Sequence, residues 1–419
     1  MTRGAGKQSQ FHGMLAALVL AIAVGAGLRF LCGAGVREGV SQWVLTPLKT
    51  VYLNALKLVV APVVFSSIAG SIAGISDYKA YGRIGLKVVG LYLVTSLAAS
   101  CIGIGVAAVL HPGAGVALTG EAHYQASNTE ISLLDTLVNI VPTNLVSPFQ
   151  ESNMTQVIFL AILIGGAAGM LEQKSGLGQF RRGLELLHKL FLTIAAMILK
   201  FIPLGTFCAV ALLILEIDPE LLGGLLRLIG CVFLGAALMM LFYGTMFFLR
   251  TRLSPLRLLK KCLPSLTSFA LLCSTSAVLP QTLDTCTNRL GIHKDIASFA
   301  IPLGSTINMD GACIYLTVSA LFLAELYGVK LSPDMLGGLV LTTLLLSVGA
   351  PPLPGAGFIC LSVLVMQLGL PMDSIGYLLG IDQLMSMCRT VVNGAGDMAC
   401  AAVVAYGQGM LDVEVFQNP

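Results

Sequence analysis

From Met335 to Met372 the chain carries no charged side chain. That run is nearly twice the roughly 20 apolar residues needed to cross a bilayer. Charge-free stretches recur at Leu58–Ser76, Val88–Gly120, Leu228–Leu249 and Cys262–Thr282. Charged residues make up 11% of the chain, against about 25% in a soluble domain. The runs are continuously apolar and do not alternate, which excludes a β-barrel. The expected class is therefore an all-α, multi-pass membrane protein.

The longest run is broken near its middle. Ser347–Gly357 reads SVGAPPLPGAG, and its three prolines and three glycines cannot continue a helix. A second interruption, Ser265–Ser276 (SLTSFALLCSTS), precedes Pro280. Irregular backbone at membrane depth survives only where it is buried in protein or lines a cavity, so each reads as a re-entrant hairpin. Each hairpin is followed by a span with acidic residues. Interrupted segments at corresponding positions of two halves point to inverted repeats and a transport site between them.

The polar residues after the second hairpin fall in DQLMSMCRTVVNGAGD, Asp382–Asp397, set between apolar runs around Ile375–Ile381 and Met398–Val404. At about 100° per residue, Asp382, Ser386, Arg389, Asn393 and Asp397 share an arc of roughly 80° on one helix. Arg389 in such a span costs about 2.5–3.5 kcal/mol on insertion scales, so it requires a partner, a cavity or an anion. Its planar fork of donors suits a carboxylate held by two bonds, with Asp382 as the competing internal partner. Asn308, Asp310, Asn393 and Asp397 are hard oxygen ligands beside Gly304, Gly311, Gly394 and Gly396. These glycines are expected to let backbone carbonyls leave the helix, an arrangement that suits sodium.

The connecting segments alternate in sign. Arg3 and Lys7, then Lys79, Arg83 and Lys87, then Arg181, Arg182 and Lys189, then Arg250 to Lys261 are basic; between them lie Glu121 and Glu130, then Glu216, Asp218 and Glu220. The positive-inside bias puts the N-terminus in the cytoplasm, with six spans crossed by about residue 250. Lys200, beside Pro203 and Gly205, is expected to interrupt span five, and residues 119–147 to form an outer loop and a short, broken element. Lys57 and Pro62 in span two read as a snorkelling lysine and a kink. Eleven single cysteines without CxxC spacing indicate neither zinc nor a disulfide framework. Gly394-Ala395-Gly396-Asp397 fits the GxGD pattern of intramembrane aspartyl proteases. The Tyr-Asp pair within a span and the later Pro-Ala-Leu stretch of those enzymes are absent, so no enzyme is expected.

Several motifs in order resemble the glutamate transporter family of sodium-coupled dicarboxylate and amino-acid symporters. They are LKLVVAPVVF, the YLVTS of Tyr92–Ser96, CSTSAVLP at Cys273–Pro280, the NMDG within Gly304–Gly311, SVGAPPLPGAG, and CRTVVNGAGD at Cys388–Asp397. The resemblance runs from about Phe11 to Tyr406. It implies eight transmembrane helices plus two re-entrant hairpins, in an elevator-type homotrimer in the cytoplasmic membrane. Residues 1–10 and 409–419 would be cytoplasmic. Residues 11–250 would carry six spans including the trimerisation scaffold, with spans 3 and 6 joining the transport domain. Residues 256–408 would form the transport core: hairpin 1, span 7, hairpin 2 and span 8.

By the same resemblance, Gly304, Asn308, Asn393 and Asp397 hold one sodium, and Tyr92, Thr95, Ser96, Asn308 and Asp310 a second. A third lies between Thr306 and the carbonyls of Ser347, Val348 and Ala350. Thr275, Thr390 and Asn393 match positions that take the substrate's main carboxylate, and Arg389 the one that grips a side-chain carboxylate. Ser274, Pro354, Gly357, Asp382 and Ser386 complete the expected substrate set. Two departures bear on the substrate: Ser386 replaces the aspartate that holds an ammonium in acidic amino-acid carriers, and Ala312 replaces a threonine. The expected cargo is thus a small C4-dicarboxylate or 2-oxoglutarate, with an acidic amino acid as the alternative. The expected partners are this substrate, sodium, the bilayer and two further copies of the chain, with no nucleic acid.

Overall fold

In lipid every backbone N–H and C=O must be satisfied within its own segment, and the apolar runs accordingly become helices. The computed structural model describes residues 2–78, 82–116, 141–151, 153–175, 178–215, 219–349 and 356–418. Among them the only β-type pairing is an isolated bridge, Ile292 to Leu411. The first half comprises α1 (Thr2–Leu31), α2 (Ala34–Val40), α3 (Thr46–Tyr78), α4 (Gly82–Leu110), α5 (Ser147–Gln150), α6 (Met154–Ser175), α7 (Gln179–Leu199), α8 (Ile202–Leu215) and α9 (Pro219–Thr251). The second comprises α10 (Pro255–Leu272), α11 (Thr275–Asp284), α12 (Lys294–Ile307), α13 (Asp310–Leu326), α14 (Pro333–Gly349), α15 (Ala356–Gln367), α16 (Asp382–Gly407) and α17 (Val413–Gln417).

Among the described residues four helices are long and apolar enough to cross a membrane: Ala34–Gly70, Ile84–Leu110, Glu220–Thr251 and Lys294–Leu326. The pair Gln179–Ile198 and Pro203–Leu212, bent by 49°, makes a fifth candidate. Its bend lies at Lys200, where the sequence predicts the interruption of span five. The expected eight spans are a finer count than length and composition provide, because α16 is polar along one stripe and α14 and α15 are short. Helix α3 continues through Pro62 without a break. Most of the expected outer loop lies outside the described residues, and α5 with α6 follows it.

Hairpin 1 is formed by α10 and α11. Ser254 caps its first helix by accepting from the amide of Arg257, and the chain reverses at Cys273, whose φ is +47°. Hairpin 2 is formed by α14 and α15; its tip, residues 350–355, lies outside the described residues. Between the hairpins, α12 and α13 are two halves of one span, parted at Asn308-Met309. Every residue of α13 except Glu325 is buried, as expected of a helix apolar all round. Helices α4, α9, α14, α15 and α16 all pack on it. A smaller, separate core of Ala21, Leu45, Cys208, Val210, Ala211 and Leu212 joins α1 to α8.

Without a strong hydrophobic drive between helices in lipid, close approach depends on small residues. Gly165 of α6 shows this: a Cβ there would lie 2.5 Å from the carbonyl oxygen of Ala69 and 3.0 Å from its Cα. Its neighbour Gly166 has nothing within 4 Å. Gly165→Leu is expected to force α3 and α6 apart and cost about 1–3 kcal/mol by overpacking, while Gly166→Leu is nearly silent. Thermal unfolding of the detergent-solubilised protein, followed by its monodisperse fraction, compares the two.

Candidate functional site

The break at Asn308-Met309 is where the chemistry gathers. Asn308 (φ −96°, ψ 78°) and Met309 (φ −105°, ψ 50°) leave helical geometry, so amides and carbonyls there seek other partners. The carbonyl of Ser305 accepts from the Thr275 hydroxyl of hairpin 1 at 3.0 Å. The amide of Gly311 donates to Oδ1 of Asn393 at 2.7 Å. Both halves of the span are thereby tied, one to the first hairpin and one to α16.

Around this break lies a buried lattice of oxygens. Thr95 Oγ1 donates to Oδ1 of Asn308 at 3.0 Å, and Asn308 Nδ2 donates to Oδ1 of Asp397 at 3.1 Å. Ser96 Oγ donates to Oδ1 of Asp310 at 2.6 Å, while Tyr243 OH donates to its Oδ2. Tyr92 OH donates to the carbonyl of Ala300 at 2.9 Å, and Asn393 Nδ2 to Sδ of Met309 at 3.1 Å. Asn308, Asp310 and Asp397 are at most 1% exposed. Two hydroxyls of α4, those of Thr95 and Ser96, thus bond Asn308 and Asp310, while that of Tyr92 bonds a backbone carbonyl of α12.

The glycines act differently from the sequence expectation. Helix α16 is unbroken through Gly394 and Gly396, and the amide of Asn308 still bonds the carbonyl of Gly304. They serve as close contacts. A Cβ on Gly396 would lie 2.5 Å from the Tyr243 hydroxyl and 2.8 Å from Nδ2 of Asn308. On Gly304 it would meet the Asp397 carboxylate and, at 2.7 Å, the Tyr92 hydroxyl; on Gly394 it would strike the Phe269 ring. Only a residue without a side chain lets these polar groups converge.

One to two turns nearer its N-terminus, α16 presents the cationic group. Nη2 of Arg389 donates to Ser386 Oγ at 2.7 Å, and Ser386 Oγ donates to Oδ2 of Asp382 at 3.5 Å. The ion pair itself is loose, with Nη1 of Arg389 at 4.0 Å from Oδ1 of Asp382. Those two atoms are buried and make no hydrogen bond. The guanidinium carbon stands 5.1 Å from the ring centroid of Tyr315. Gly357, at the start of α15, abuts the guanidinium so closely that a Cβ there would overlap Nη1. Helix α15 therefore meets Arg389 through a glycine.

Other expected residues are placed less pointedly. Thr390 Oγ1 donates back to the carbonyl of Ser386 at 2.7 Å, and Ser274 is buried just before α11 at the hairpin turn. Thr306 and Ser347 each bond a carbonyl three residues back in their own helix, at 2.9 Å and 2.7 Å. Val348 lies near the end of α14, and Ala350 and Pro354 lie outside the described residues. Helix α12, which carries Thr306, packs on α14, which carries Ser347 and Val348. Tyr243, Tyr315 and Met309 were not among the expected residues. The available signal for Tyr243 was a lone tyrosine in a charge-free run, whose hydroxyl needs a partner when buried.

A model of the sodium:dicarboxylate symporter family matches residues 12–406. A C4-dicarboxylate transport protein of Rhizobium johnstonii is 32% identical over 88% of this chain and 84% of its own length. A proton/sodium-glutamate symport protein of Bacillus caldotenax is 28% identical over 88% of this chain and 89% of its own length. A proton/glutamate-aspartate symporter of Escherichia coli K12 is 28% identical over 95% of this chain and 93% of its own length.

The Tyr243 bond to Asp310 yields a test. Tyr243→Phe removes a side-chain donor from a buried carboxylate, which is expected to cost about 1–3 kcal/mol. The thermal midpoint of the purified protein should fall accordingly, whereas Thr245→Val, on an exposed part of the same helix, should leave it in place.

Proposed function

Because the chain belongs to the sodium:dicarboxylate symporter family, and is a transporter and not an enzyme, we propose that it imports small dicarboxylates across the cytoplasmic membrane with sodium as co-transported cargo. The observation that carries the substrate class is the Arg389 guanidinium. It is buried, backed by Tyr315 and Ser386, and keeps an Nη1 that bonds nothing. A carboxylate would satisfy that donor and complete the fork. Ser386 adds a hydroxyl and no charge, so the pocket beside Arg389 suits a carboxylate without an adjacent ammonium.

Sodium is supported by the donor chemistry of the second cluster. Thr95, Ser96, Asn308, Asp310, Asn393 and Asp397 offer oxygens only from hydroxyls, amides and carboxylates, the hard ligands an alkali ion takes. An ion there would replace the bonds that now join Asn308 to Asp397 and Ser96 to Asp310. Asn308 and Asn393 link this cluster to the break in span 7, and Arg389 lies one turn before Asn393 on the same helix. Cation and carboxylate therefore order one rigid element, α16. Hairpin 2 would then close over the substrate through Gly357, and the loaded domain would slide as an elevator within a homotrimer. Both termini would be cytoplasmic.

One observation favours a second reading. Oδ1 of Asp382 is also unbonded and buried, one turn from Ser386, and would receive the ammonium of an acidic amino acid. Competition for the purified, sodium-loaded protein separates the two. Succinate is expected to bind and L-aspartate to compete weakly; the reverse order would establish the second reading. In sealed vesicles, choline in place of sodium should abolish uptake. Arg389→Ala should lower it by roughly ten- to a hundred-fold, the loss of a charged hydrogen-bonding partner; undiminished uptake in that variant would make the arginine structural.

A further inference from the structure

Behind the ion cluster, on the far side of Tyr243, lies a cavity of about 470 Å³ between α9, α10 and α16. Its volume falls within the roughly 300–1,000 Å³ of ligand-binding sites, and its walls are apolar. Phe248, Leu256 and Leu259 stand at its outer part, and Tyr243, Ala395 and Ala399 at its inner wall. Phe248, Leu256 and Leu259 are themselves 41–71% exposed, so the cavity is continuous with the hydrocarbon-facing surface. Water gains nothing in such a space, because it offers few polar partners.

The rim is cationic. The Arg252 guanidinium carbon stands 5.8 Å from the centroid of the Phe248 ring that lines the cavity. Lys260 follows Leu259 and lies four residues beyond Leu256, on the same face of α10. Both cations are exposed, and among the described residues neither forms an ion pair. Lys261, by contrast, is turned away and donates to the carbonyls of Arg289 and Val415. An apolar cleft with one unpaired cation over a lining ring and a second on the face of the helix that carries Leu256, at the end of a span, matches the chemistry of an anionic lipid headgroup over an acyl chain.

We propose that this cavity binds one acyl chain of an anionic phospholipid, whose phosphate is held by Arg252 and Lys260. The chain packs on the ring of Tyr243, and the hydroxyl of that ring bonds Asp310. The lipid is thus an external support for the carboxylate, one side chain removed from it.

Native mass spectrometry of the full-length protein, titrated in detergent with phosphatidylglycerol or phosphatidylcholine, tests this without depending on what the protein transports. Phosphatidylglycerol is expected to be retained as one tightly held molecule. Each of Arg252→Gln and Lys260→Gln should weaken that retention about five-fold; both side chains are exposed, so the variants keep the fold. Gly244→Leu fills the cavity, since a Cβ at Gly244 meets only Pro255, at 3.4 Å, and should abolish tight retention of the lipid. Equal retention of the two lipids, or unchanged retention in the double glutamine variant, would overturn the proposal. So would loss in that variant with full retention in Gly244→Leu, because the headgroup would then bind without the cavity.

Discussion

A carboxylate removed from water inside a bilayer costs several kcal/mol unless donors or a cation surround it. Two such carboxylates, Asp310 and Asp397, set the organisation of this protein. Their donors come from three places distant in sequence, Ser96 of α4, Tyr243 of α9 and Asn308 at the break between α12 and α13, and the glycine faces of α12 and α16 let these groups approach. The interrupted span exists because its break lets Asn308 turn toward Asp397 and the Gly311 amide reach Asn393. The hydrogen bonds that make burial tolerable use the same oxygens for which the proposed cation would compete.

The arginine follows the same logic with opposite sign. Its charge is balanced only loosely, through Ser386 to Asp382, and one face is occupied by the Tyr315 ring. Its buried Nη1 makes no hydrogen bond, and that is the donor the proposed carboxylate would satisfy. With Arg389 and Asn393 one turn apart on α16, the proposed anion and cation would share one rigid body, a direct physical route for coupling them. Hairpin 2 reaches that body through Gly357, where any side chain would strike the guanidinium.

Much of this is legible in the primary structure, for particular reasons. Charge-free runs force membrane burial, and the proline-rich Ser347–Gly357 stretch forces a break. The 100° step of a helix puts Asp382, Ser386, Arg389, Asn393 and Asp397 on one stripe, and all five are buried together. Of the three hydroxyls in the YLVTS motif, those of Thr95 and Ser96 bond Asn308 and Asp310. These are local patterns, and local geometry converts them into position.

What the sequence by itself determined is which segments leave water, where they break, and which polar groups share a helical face, because each of these depends on residues within a few turns of one another. Only the tertiary structure decided that Tyr243 serves Asp310, that Tyr315 underlies Arg389, and that Gly304, Gly394 and Gly396 are points of closest approach and not points of unwinding. Those pairings join residues tens to hundreds of positions apart. They depend on which helices come to lie side by side, and no periodicity along a single helix encodes that.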